Sequence, residues 1–164
     1  MHTTIRMRAL AMAIGLPVVL TVTSAGAQTT RAPGKPEIER GRYVVVLGGC
    51  NDCHTEGYAP KAGKVPPAEW LKGSVLGFRG GWGTTYPSNL RLYFARLTAD
   101  QWVAQARTLQ SRPPMPWFTL HDMTEADLRA MHAFVRSLPG PPGDPAPAFL
   151  PPGQMPQGPA VVYP

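Results

Sequence analysis

Proline decides most of what this chain can fold into. There are 20 prolines and 17 glycines among 164 residues, and ten of the prolines fall within residues 139–164. Proline lacks a backbone N–H and fixes φ, so a segment of that density runs neither as a helix nor as a central strand. The stretch PGPPGDPAPAFLPPGQMPQGPAVVYP is therefore expected to be extended, polyproline-like or disordered, a solvated tail lying loosely on a domain. The folded domain is expected over residues 35–139, with the tail over 140–164. A composition of 43% hydrophobic and 16% charged residues excludes a highly charged disordered chain.

The other end has its own signature. Arg6 and Arg8 precede the apolar run ALAMAIGLPVVLTVTSAGA, which closes on Ala25, Gly26 and Ala27. A basic start, an apolar middle and small residues at the end form a secretory signal peptide over residues 1–27. Pro17 and several Thr and Ser residues interrupt a run already near the lower length for a membrane span, which argues against a retained anchor. Cleavage after Ala27 leaves 137 residues with a formal charge of +4. The basic residues are dispersed, so nothing points to nucleic acid. The mature chain is expected in the periplasm, with no stable membrane insertion.

Three segments read as helices, and none reads convincingly as a sheet. The first, from Pro36 to Cys50, has Pro36 at its start, Glu37 and Glu39 near its positive end, and Gly48–Gly49 as its stop. Ile38, Tyr43, Val46 and Leu47 recur at near-helical spacing and are expected to face inward. The second begins at Thr98, where Gln101 completes a capping box. The third begins at Thr124 and ends at Pro139, with Leu128, Met131, Val135 and Leu138 as its apolar stripe. Residues 55–96 form a long Gly/Pro/Trp-rich connection, and a loop that long in a small domain usually wraps something.

The chemistry lies between the first helix and that loop. Residues 50–54 read Cys-Asn-Asp-Cys-His. Two thiols three positions apart can add to the two vinyl groups of one haem, and the adjacent His54 can then offer its imidazole to the iron. Cys50, Cys53 and His54 are thus candidate haem c ligands, the two cysteines as covalent attachments. A zinc site lacks a third cysteine, and His121 and His132 lack the usual close spacing. A thioredoxin-like pair lacks its strand–helix context. A Cys50–Cys53 disulfide leaves the histidine unexplained.

A second axial ligand is best sought among Met115, Met123, Met131 and Met155. Met115 sits in Arg-Pro-Pro-Met-Pro-Trp, where flanking prolines stiffen the loop and lower the entropy lost on ligation. Met123 and Met131 lie at core spacing at or in the third helix, Met155 lies in the tail, and His121 and His132 are rivals. Trp82, Tyr86 and Asn89 are candidate donors to haem propionates.

In this order, helix, C-x-x-C-H, wrapping loop, Pro-Met-Pro loop and closing helix resemble a class I c-type cytochrome. The likeness is greatest to monohaem domains in cytochrome subunits of bacterial periplasmic dehydrogenases. It rests on Arg40-Gly41-Arg42-Tyr43, Cys50 to Thr55, Gly80-Gly81, Tyr86 to Leu90, Pro114-Met115-Pro116-Trp117 and Asp127 to Leu138, across residues 37–139. After Asn89-Leu90 the chain departs from those relatives, running straight toward the second helix where they carry a longer Thr-Pro-Asp loop. The resemblance implies an all-α fold of three to four short helices and long loops around one haem. It also implies Gly41 crossing closely under Phe134, with His54 and Met115 as the axial ligands. The function it implies is one-electron transfer, without catalysis, between a periplasmic dehydrogenase and an oxidase or another cytochrome. A haem enzyme or gas sensor with an open distal site is the alternative, and it requires that Met115 leave the iron free.

Overall fold

The computed structural model describes Met1 and residues 33–164; the expected signal peptide at 1–27 lies outside the described residues except for Met1. Helix α1 spans Lys35–Leu47, α2 Cys50–His54, α3 Leu90–Ala95, α4 Ala99–Thr108, α5 Phe118–Asp122 and α6 Glu125–Ser137. A short 3₁₀ turn covers Pro67–Glu69. Strands β1 (Gly77–Gly80), β2 (Gly83–Thr85) and β3 (Ala160–Val162) form one sheet in the order β2-β1-β3.

That sheet corrects the expectation of an all-α fold. The described chain has six helices and a three-stranded mixed sheet, antiparallel between β1 and β2 and parallel between β1 and β3. The strands escape a sequence reading for a physical reason. β1 and β2 are three or four residues long and rich in glycine, too short for a period-two pattern. β3 is a proline-free Ala-Val-Val in a proline-rich tail, and its partner lies some eighty residues upstream.

The tail is extended, yet it is fastened and not loose. Tyr163 donates its N–H to Arg79, and Gly77 to Pro159. Leu150 and Thr84 exchange both backbone hydrogen bonds, at 3.0 and 2.8 Å. Asn89 Nδ2 donates to the carbonyls of Pro142 and Asp144. The 6%-exposed Arg91 sends its guanidinium to three carbonyls, those of Trp70, Pro67 and Pro139, each at 2.7 Å. Proline keeps its C=O, so a proline-rich segment can be held through acceptors where it cannot donate.

The helical core forms where α1 crosses α6. A Cβ on Gly41 would stand 1.9 Å from the Ala130 carbonyl oxygen and 2.7 Å from Phe134 Cβ, so only glycine permits this approach. The expected Gly41–Phe134 crossing is therefore present. The face of α1 differs from expectation: Val44 and Val45 are buried, while Tyr43, Val46 and Leu47 are exposed. Residues 43–47 are all apolar, so hydrophobic phase alone is ambiguous, and the glycine sets it. Thr98 and Thr124 cap α4 and α6 as expected, the former in a complete capping box. Trp102 of α4 donates its indole N–H to the Leu128 carbonyl on α6 at 2.9 Å.

Candidate functional site

The five residues 50–54 become a single helical turn because the chain can break before them. Gly49 has φ +66°, in the left-handed region that side chains disfavour, and it turns the chain out of α1 and into α2. Cys50 and Cys53 are both half-buried free thiols on that turn. Burial pushes the Cys50 thiol up to about 11 and raises Cys53 as well, with the nearby Asp52 carboxylate adding to both. Redox-active C-x-x-C pairs need the opposite, a thiolate stabilised by its surroundings. The raised values therefore do not match a redox-active pair, while both thiols remain free for covalent attachment.

His54 is 8% exposed, and its Nδ1 lies 2.7 Å from the Ser88 carbonyl oxygen. A carbonyl only accepts, so Nδ1 carries the proton and donates. In the neutral ring Nε2 is then left with its lone pair free. Desolvation lowers the pKa, against a smaller raising effect of the Ser88 bond, which keeps the ring neutral near pH 7. An imidazole held by Nδ1–H to a carbonyl and offering Nε2 is the form a metal takes.

Backbone contacts hold Ser88 there. Gly73 donates its N–H to the His54 carbonyl at 2.8 Å, and Ser74 donates to Pro87 at 3.2 Å. Thr55 Oγ1 donates to Asn51 Oδ1 and accepts from Leu71 N–H, both at 2.7 Å. Ser74 Oγ and Val75 N–H both donate to the Glu56 carboxylate. A Cβ on Gly73 would meet the Pro87 carbonyl oxygen at 2.8 Å. The segments around His54, Gly73 and Ser88 are thus stacked by main-chain bonds, which makes the imidazole's orientation a product of three loops. Sequence reasoning missed Ser88, because a backbone carbonyl has no side-chain signal.

Cys50, Cys53 and His54 are brought together on α2. Met115 stands on a separate segment between α4 and α5, half-buried, and packs against the same core that Cys50 borders. Its rivals are engaged elsewhere: His121 Nε2 pairs with the Leu109 carbonyl at 3.0 Å, and His132 Nε2 with that of Leu97 at 2.9 Å. Met131 is buried in the core and Met155 is exposed on the tail. Met123 lies nearer the motif than its spacing suggested. The point a Gly48 Cβ would occupy is 3.6 Å from the Met123 methyl and 3.7 Å from Cys50 Sγ.

Three polar groups of the β1–β2 hairpin, and Asn51 Nδ2 on α2, are buried without a hydrogen-bond partner among the described residues. Trp82 Nε1, Thr84 Oγ1 and Thr85 Oγ1 are buried and have no hydrogen-bond partner within the described protein. Buried donors are nearly always satisfied, so these groups remain open to an acceptor that the described chain does not itself supply. Haem propionates are such acceptors. The donor set therefore fits a covalently held haem: two protonated thiols, one neutral imidazole with a free Nε2, and unsatisfied donors for carboxylates. Asn89 does not join them. Its Oδ1 caps α3 by accepting from Leu92 N–H, and its Nδ2 is bound to the tail. Thr84 and Thr85 were missed, since threonine in a short strand is unremarkable by sequence.

No family model, curated protein or solved structure matches the chain. Among the described residues no helix is long and apolar enough to cross a membrane.

Proposed function

We propose that this protein is a monohaem c-type cytochrome of the periplasm that carries single electrons between a dehydrogenase and a downstream oxidase or cytochrome. The observation that supports this most is His54, oriented by Ser88 and placed next to two protonated cysteines on one turn. A haem held there would supply the reversible ferrous–ferric couple.

The chain's own residues do the rest. Cys50 and Cys53 fasten the group through thioethers, so it cannot dissociate with oxidation state. Ser88 fixes the His54 tautomer and strengthens the imidazole as a donor. Met115 offers a soft thioether, which favours the reduced metal and raises the potential. Trp82, Thr84 and Thr85 would donate to the propionates and lower the cost of burying them.

A potentiometric titration of the purified protein, followed by visible absorption, tests the reading. One reversible one-electron wave with a weak red band in the oxidised form is expected. A protein without a reversible wave, or one whose oxidised spectrum is high-spin throughout, would overturn it.

A further inference from the structure

We infer that Phe149, in the C-terminal tail, is a positioning residue for the loop that carries Met115. The inference rests on the haem reading above. The Phe149 ring is held between two elements distant in sequence. On one side is Gly83 of β2, where an added Cβ would lie 3.0 and 3.1 Å from ring carbons Cζ and Cε2. On the other is Arg112, whose guanidinium carbon sits 4.0 Å from the ring centroid. The ring's place against the hairpin is set by main chain, because the next residue, Leu150, exchanges both backbone hydrogen bonds with Thr84.

Arg112 is the first residue of the turn that presents Met115. Its carbonyl accepts from Met115 N–H at 3.3 Å, and Pro113 and Pro114 lie between them. Two prolines leave that turn few soft dihedrals, so where Arg112 is held decides where Met115 stands. Phe149 thereby ties the hairpin with the orphaned donors to the loop with the thioether. Nothing in the tail's composition announced this; a lone Phe among prolines reads as incidental.

Loss of the ring frees Arg112 and raises the fraction of time the loop stands open. An added ligand that competes with the thioether binds in proportion to that fraction. A cation–π contact from the exposed Arg112 to the half-buried ring corresponds to a change of roughly two- to fivefold.

The test uses the full-length holoprotein with the variants Phe149→Ala, Phe149→Tyr, Arg112→Gln and the Phe149→Ala/Arg112→Gln pair. Imidazole affinity of the oxidised protein and hydrogen exchange at the Met115 amide are read for each. Phe149→Ala and Arg112→Gln are each expected to tighten imidazole binding about two- to fivefold and to speed Met115 amide exchange. Phe149→Tyr should restore both values, and the double variant should be no worse than either single one. Unchanged imidazole affinity and amide exchange in Phe149→Ala, with the parent spectrum intact, would overturn the inference. So would effects that multiply in the double variant. A parent protein without covalent haem would instead sink the reading beneath it, and Met115 amide exchange would still judge the role of Phe149.

Discussion

Replacing Gly41 by alanine is a severe test of the fold's central contact. The added Cβ would stand 1.9 Å from the Ala130 carbonyl oxygen, 2.5 Å from its carbon and 2.7 Å from Phe134 Cβ. Two of these neighbours are backbone and none is a flexible side-chain end, so α1 must withdraw from α6 by about 1 Å to reach even a tight contact. A gap of about that size forfeits a quarter to a half of the dispersion well for each facing atom. Overpacking of this kind costs about 1–3 kcal/mol and occasionally more. Alanine's better helix propensity returns about 1 kcal/mol. Because the clash is with backbone, the upper end applies, and a net loss of about 2–3 kcal/mol is expected. For a domain of this size that lowers the melting temperature by roughly 10 °C. Thermal unfolding followed by far-UV circular dichroism reads it directly. Gly81→Ala is the control: no atom lies within 4 Å of its would-be Cβ, so its midpoint should stay within a degree or two. A Gly41→Ala protein that melts with the parent would refute the close-crossing argument.

Other perturbations report on different parts of the structure. Arg91→Met keeps much of the side-chain volume but leaves the carbonyls of Trp70, Pro67 and Pro139 unpaired, and should cost about 2–4 kcal/mol in urea denaturation; an unchanged midpoint would mean water replaces the guanidinium freely. Asp127 is held below the usual carboxylate range by its hydrogen bond from Arg40 and a second from Thr124. A depressed carboxylate pKa contributes stability above its unfolded value that is lost as pH falls through the folded one. Asp127→Asn should therefore flatten the acid limb of stability below about pH 4, and only slightly because the pair is exposed. A variant that retains the parent's full slope there would contradict the assignment. Met115→Ala should turn the oxidised protein high-spin or open to imidazole and lower its potential; His121 is six residues on, so the Met115→Ala/His121→Ala pair separates rescue from irrelevance.

How much of this was legible in the sequence depends on the range of the interaction. Thr98, Thr124 and Pro139 act on neighbours within one turn, so the ends of α4 and α6 could be read from local residues. The same holds for Gly48–Gly49, which ends α1 and releases α2. Helices α3 and α5 went unread because six and five residues carry no periodicity. The buried face of α1 was misread because Tyr-Val-Val-Val-Leu is apolar in every phase, and Gly41 settles it only once α6 is in place. The sheet was missed because β1 and β3 meet through backbone bonds across some eighty residues. At the site, Cys50, Cys53, His54 and Met115 are visible as residue types at telling positions. Ser88 and Phe149 meet their partners through a backbone carbonyl and a ring, and the burial of the Thr84 and Thr85 hydroxyls, like those contacts, is set only by the fold.

Covalent attachment at Cys50 and Cys53 is the claim on which the rest depends. The most direct measurement is acid–acetone extraction of the protein purified from an exporting, haem-attaching host, with the pellet then scored for haem absorbance. Absorbance should stay with the protein, and should pass into the organic phase when both cysteines are replaced by serine. Colour in the organic phase from the parent protein, or no haem in either phase, would contradict the account.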